Sequence, residues 1–239
     1  MTKKLFYILM ILFCSSYLYA FSAGDIVLYP NIGIGTTTGG IKGMSEEGFG
    51  LWIAEDEDFF VPHPDRTPEG VTKAFVYTIG FIADYMITDS LSVTSGLSYD
   101  RVPYQLRYPV EDEKIFILSY DFSFITVPLG IHYHTRNSFL IGGGVYYGIM
   151  VSDELEVSNI PSAFETDDIK KIKNEVDETN NDIGVYLDFG YNLKIGERGT
   201  VLFLTRYKHG FTEVYGDPRP LTKLQMRTLT VNVGYGFVF

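Results

Sequence analysis

Leu229-Thr-Val-Asn-Val-Gly-Tyr-Gly-Phe-Val-Phe239 is the stretch that decides the fold, and it ends the chain. Leu229, Val231, Val233, Tyr235, Phe237 and Phe239 alternate with Thr230, Asn232, Gly234, Gly236 and Val238. A period of two places the first set on one face of a strand and the second set on the other. Chain ends usually fray. A terminal strand this regular suits a closed barrel, whose last strand has to pair with its first.

Seven further segments repeat the alternation. In 25–36, Leu28, Ile32 and Ile34 oppose Asn31, Gly33 and Gly35. Pro30 lacks a ladder donor and predicts a bulge near the rim. In 73–88, Phe75 to Ile87 at every second position face away from Ala74, Thr78, Gly80 and Asp84. The third strand sets Leu91, Val93, Leu97 and Tyr99 against Ser92, Thr94, Gly96 and Asp100, and the fourth sets Ile125 to Tyr133 against Thr126, Pro128, Gly130 and His132. Strands five to seven carry Phe139 to Ile149, Ile183 to Leu193 and Val201 to Tyr207 on their apolar faces. Tight turns at 88–90, 135–137 and 196–199 alternate with longer spacers at about 37–72, 152–181 and 212–221 and a shorter one near 109–113. This predicts an all-β fold, an eight-stranded antiparallel up-and-down transmembrane β-barrel. Both ends of the exported chain lie with the tight turns, on the periplasmic side.

The large apolar rows need a solvent. A soluble barrel hides them inside, but here the opposite rows carry Asp84, Asp100, Asp188, Arg206, Lys208 and Arg227. Facing lipid at mid-depth, each Arg or Lys would cost about 2–4 kcal/mol. Inside a small barrel the charges can pair while side chains fill the interior. A turn centred between Glu197 and Arg198 puts Asp188 across from Tyr207, with Arg206 and Lys208 as diagonal neighbours. An Asp188–Arg206 or Asp188–Lys208 contact is therefore expected.

The chain begins with Lys3 and Lys4, an apolar run from Leu5 to Phe13 and a small-residue region ending in Ala20. That is the layout of a secretory signal peptide over 1–20, with cleavage after Ala20 or Ser22, followed by one barrel domain over 21–239. Cys14 is the single cysteine, so removal of the signal excludes disulfides and thiolate chemistry. Phe13 before it does not fit a lipoprotein signal. The formal charge is −11, which speaks against nucleic acid as a partner. The acids gather in 46–65 and 153–182.

Phe124-Ile-Thr-Val-Pro-Leu-Gly-Ile-His-Tyr133, Asp188-Phe-Gly-Tyr191, Arg206-Tyr-Lys-His-Gly-Phe-Thr212 and Val233-Gly-Tyr-Gly-Phe-Val-Phe239 resemble the small outer-membrane barrels of the PorT-like type, and more broadly OmpX- and OmpA-type barrels. The resemblance implies a Gram-negative outer membrane, contact with its lipids and lipopolysaccharide, and insertion by the barrel-assembly machinery. It also implies that Tyr235, Phe237 and Phe239 serve as the C-terminal assembly signal. The long acidic segments depart from the compact pattern of that family.

His132 and His134 share a face near the periplasmic rim. They are expected to be solvated, with a transition-metal site as the alternative. His209 lies near Thr212 and Glu213, but the spacing is not that of a lipid-modifying hydrolase. Gly33, Gly35, Gly39 and Gly40 lack a dinucleotide fingerprint and more simply leave room for neighbours. The run 55–58 lacks the spacing of a calcium loop. Trp52, Phe59 and Phe60 are candidate surface-loop contacts. Ile169, Ile172 and Val176 predict a short amphipathic helix within 167–178. No catalytic residue, resident metal or cofactor is expected. The expected role is a monomeric, non-enzymatic barrel presenting acidic loops for envelope integrity or an unknown surface ligand. The alternatives are a narrow OmpW-like channel and a lipid-modifying enzyme.

Overall fold

The strands run in chain order as β1 (Ile26–Thr37), β2 (Ile41–Lys42), β3 (Val71–Thr72), β4 (Phe75–Thr88), β5 (Leu91–Pro109), β6 (Ile115–His134), β7 (Phe139–Ser158), β8 (Asp182–Ile195), β9 (Gly199–Gly216) and β10 (Lys223–Val238). The structure is a computed structural model describing residues 21–37, 41–42, 71–72, 75–109, 115–158, 180–195, 199–216 and 223–239. The signal segment, Trp52, Phe59, Phe60, Gly39, Gly40, the run 55–58 and the stretch 167–178 lie outside the described residues.

Eight long strands form the wall. Each pairs antiparallel with its sequence neighbour, and β1 pairs with both β4 and β10, which closes the barrel. The closing seam joins Ile32 to Val233 and Ile34 to Val231. The two-residue strand β2 continues the seam on β10, and β3 pairs with β5 elsewhere on the wall. The three short connections and both Phe21 and Phe239 share one end. No helix among the described residues is long and apolar enough to cross a membrane; the strands provide the crossing.

Alternation puts the apolar rows outside, as expected. Ile32, Phe75, Leu187 and Phe189 each expose 59–64% of their surface. The outward band also holds Ile79, Leu129, Ile131, Ile141, Val145, Val231 and many more. A water-soluble monomer rarely shows an apolar patch beyond a few hundred Å². A continuous belt around a closed wall belongs in lipid, where every backbone donor is already satisfied by the ladder.

Three expectations need correction. Pro30 makes no bulge: its Cα partner is Phe81, and the β1–β10 register is the same at Leu28↔Phe237 and Asn31↔Gly234. Only alternate residues donate to a given neighbour in an antiparallel ladder, so one missing donor costs a bond without shifting the register. The strands also run further than their apolar alternation. β7 continues through Asp153, Glu154 and Glu156 to Ser158, because pairing with β6 carries on where charged side chains no longer face lipid. Arg227 is not in the lumen. It stands two residues before Leu229 with the register unbroken between them, so the alternation itself sets it in the outward row, half-buried opposite His209.

Candidate functional site

The lumen is filled in layers. Nearest the tight-turn end lies an apolar cluster of Phe21, Val27, Tyr29, Ile82, Met86, Leu140, Leu202 and Leu204. Alternation along the sequence places Ile82, Met86, Leu202 and Leu204 on the inward rows, but not their meeting in one cluster. Leu202 and Leu204 stand on the same row as Arg206 and Lys208, and a period of two reports which face a residue takes without reporting what it meets there.

A buried polar chain runs beside that cluster, with Asp84 between Ile82 and Met86 on β4 and His134 paired with Leu140. Asp84 lies on β4, His132 and His134 on β6, Asp188 on β8 and Arg206 on β9, all nearly or fully buried. His132 spans two carboxylates, with Nδ1 3.2 Å from Asp84 Oδ2 and Nε2 2.9 Å from Asp188 Oδ2. Arg206 donates from Nε to Asp188 Oδ1 at 2.8 Å and from Nη2 to Oδ2 at 2.6 Å. Its guanidinium stacks 4.4 Å from the Tyr186 ring centroid. Gly142, opposite His132, makes room for the imidazole: a methyl there would collide with the His132 ring.

One step further along β9, Lys208 Nζ donates to Asp100 Oδ2 at 2.6 Å, and Ser98 supports the same oxygen at 3.2 Å. Tyr146 donates its hydroxyl to Asp182. Tyr104, Tyr120, Phe122 and Phe124 form an aromatic group beyond, with Tyr120 and Phe122 stacked at 6.0 Å. Between Asn31, Thr78, Asp100, Arg206, Lys208 and Asn232 a void of about 10 Å³ remains, no more than a single water needs.

The profile of the outer membrane protein beta-barrel domain matches residues 35–216. The chain belongs to that family. Among solved structures, this outer-membrane barrel resembles the outer membrane protein OprG from Pseudomonas aeruginosa at 14% identity, covering 92% of this chain and 98% of that one with a TM-score of 0.53. It is also similar to the outer membrane protein AlkL in lipid bilayers (14% identity, 93% of each chain, TM-score 0.45). A third likeness is Ail of Yersinia pestis, the attachment invasion locus protein (11% identity, 90% and 99% coverage, TM-score 0.38). The likeness to OprG shows the fold. Comparison with curated proteins finds no match.

As an outer-membrane barrel, the chain has its tight-turn end in the periplasm. There the histidines differ from expectation. His132 is fully buried and His134 is 5% exposed. They are not solvated, because Phe21 packs edge-on against His134 at 5.3 Å and Asp84 reaches both rings from β4. The Asp188–Arg206 contact is present, but Arg206 lies directly opposite Asp188, not diagonal to it. Ile195 pairs with Gly199, which shifts the register by one residue from the expected one. Lys208 instead takes Asp100.

His209 and Thr212 do not cooperate. The imidazole Nδ1 lies 3.3 Å from Tyr207 Oη, and the Thr212 hydroxyl accepts the Ile183 amide at 3.0 Å. Nor do Ser92, His134 and Asp84 form a hydrolytic triad. Ser92 Oγ and Asp84 both address the same nitrogen, His134 Nε2, at 3.0 and 3.7 Å, whereas a triad needs them on opposite ring nitrogens.

Proposed function

We propose that the protein is a non-enzymatic, non-conducting outer-membrane barrel whose rigid wall presents its acidic external segments to a surface ligand or to the lipopolysaccharide layer. The supporting observation is the transverse chain Asp84–His132–Asp188–Arg206, which links three parts of the wall across the lumen. Apolar packing lies beside it and the Asp100–Lys208 pair lies on its outer side. An eight-stranded interior is just wide enough for its own side chains.

A narrow channel would find support in small inward residues such as Gly80, Gly96, Gly144, Gly190 and Gly234. A methyl at Gly80, Gly96 or Gly144 would press on the backbone of the adjacent strand. These glycines therefore serve close strand approach, which is separate from opening a passage. Replacing 38–70 and 159–179 with short turns tests the loop-presenting role. The shortened barrel should still fold, while surface adhesion or resistance to envelope stress falls. Unchanged adhesion and envelope resistance in cells carrying the folded, shortened barrel would reject it.

A further inference from the structure

The lumen carboxylates are not equally provided for. Asp188 has Arg206 and Asp100 has Lys208. Asp84, wholly buried, has no Lys or Arg partner among the described residues; it faces the imidazoles of His132 and His134. A buried carboxylate is stabilised by a paired cation or by a metal.

We propose that Asp84, His132 and His134 form a site for one divalent first-row transition ion, with zinc as its simplest probe. One donor atom from each residue lies within 4.8 Å of the other two. Two of the separations are short, His132 Nδ1 to Asp84 Oδ1 at 3.1 Å and His134 Nε2 to Asp84 Oδ2 at 3.7 Å. Bonds of about 2.0–2.1 Å to a tetrahedral ion place ligands roughly 3.3–3.4 Å apart, so small side-chain movements complete the set. Two imidazoles and one carboxylate select borderline transition ions over magnesium or calcium, which prefer all-oxygen sites.

The surroundings match a metal site in two further respects. With Nδ1 directed at the ion, His132 keeps Nε2–H on Asp188, which Arg206 anchors, and such a carboxylate behind a ligating histidine fixes its tautomer and orientation. Ser92 Oγ, 3.0 Å from His134 Nε2, stands beside the fourth position. Access comes from the periplasm, through a cavity of about 390 Å³ lined by Phe21, Asp89, His134, Arg136, Asn192 and Lys194.

The test uses untagged full-length barrel, purified in detergent, stripped with chelator and titrated with zinc against a chromophoric competitor. One zinc per barrel at ~micromolar affinity is expected, weakened at least about tenfold in Asp84→Asn and His134→Gln. Faster migration of unboiled samples confirms that each variant is folded. Zinc-edge absorption on the loaded wild type gives a readout independent of the variants and should show two imidazoles and at least one oxygen near ~2.0 Å. Absence of uptake overturns the proposal, as does equal affinity in folded Asp84→Asn and His134→Gln, or a spectrum with fewer than two imidazoles. Any of these would leave the histidines as ion-pair partners of Asp84 alone and would not touch the closed-lumen reading.

Discussion

Arg206 and Asp188 face each other across neighbouring strands and join through two parallel hydrogen bonds, Nε to Oδ1 at 2.8 Å and Nη2 to Oδ2 at 2.6 Å. The fork also fixes Asp188 for His132, so one guanidinium organises β6, β8 and β9 together. Removing one partner of a buried pair leaves an uncompensated charge and costs about 3–5 kcal/mol. Arg206→Ala should lower the unfolding free energy by about that amount in denaturant titrations of the detergent-folded barrel. Adding Asp188→Ala to it should cost less than the two single changes summed.

Gly142 tests the packing around His132. A methyl at that position meets the imidazole ring and the Ile131 carbonyl oxygen, and overpacking of this kind typically costs about 1–3 kcal/mol. Gly142→Ala should be destabilised within that range. The same change at Gly24, where a Cβ meets nothing within 4 Å, leaves the lumen untouched but must tolerate φ of 95°. A Gly142→Ala barrel as stable as wild type would show that His132 is not held where the structure puts it.

Leu187 tests the lipid face. It is 64% exposed on β8, between inward Tyr186 and Asp188. Leu187→Lys should cost about 2–4 kcal/mol if the residue sits near mid-membrane. A soluble barrel would accept the same lysine with little change, so denaturant stability of folded Leu187→Lys separates the two solvents.

Phe239 bears on assembly. Its backbone exchanges two hydrogen bonds with Ile26, at 2.9 and 3.2 Å, beyond the last regular rung of the seam. Its side chain is 75% exposed. Losing so exposed a ring should change equilibrium stability little. Deletion of Phe239 should instead reduce the amount of heat-modifiable barrel recovered from outer membranes. Normal recovery would remove Tyr235, Phe237 and Phe239 as the assembly signal.

The wall was legible in the sequence because strand alternation is local. Each outward residue from Phe75 to Ile87, or from Leu229 to Phe237, declares its face through its immediate neighbours. The lumen was only half legible. Alternation sets Asp84, Asp100, Asp188, Arg206 and Lys208 on inward rows, and all five are buried, yet their pairings depend on how far each strand is staggered around the barrel. His132 meets partners 48 and 56 residues away in sequence, and no periodicity encodes such a meeting. The Asp188–Arg206 register turned on a single residue of offset between β8 and β9. Arg227 needs no such long-range information: it stands two residues before Leu229 with no register shift between them, and the period of two sets it in the same outward row.

The closed lumen is the centre of the account, and single-channel recording in planar bilayers tests it most directly. Purified, heat-modifiable wild-type barrel should give no steady conductance above the bare membrane, while a folded barrel with Arg206 and Lys208 both changed to alanine should leak. A stable open conductance from the wild-type protein would contradict the account.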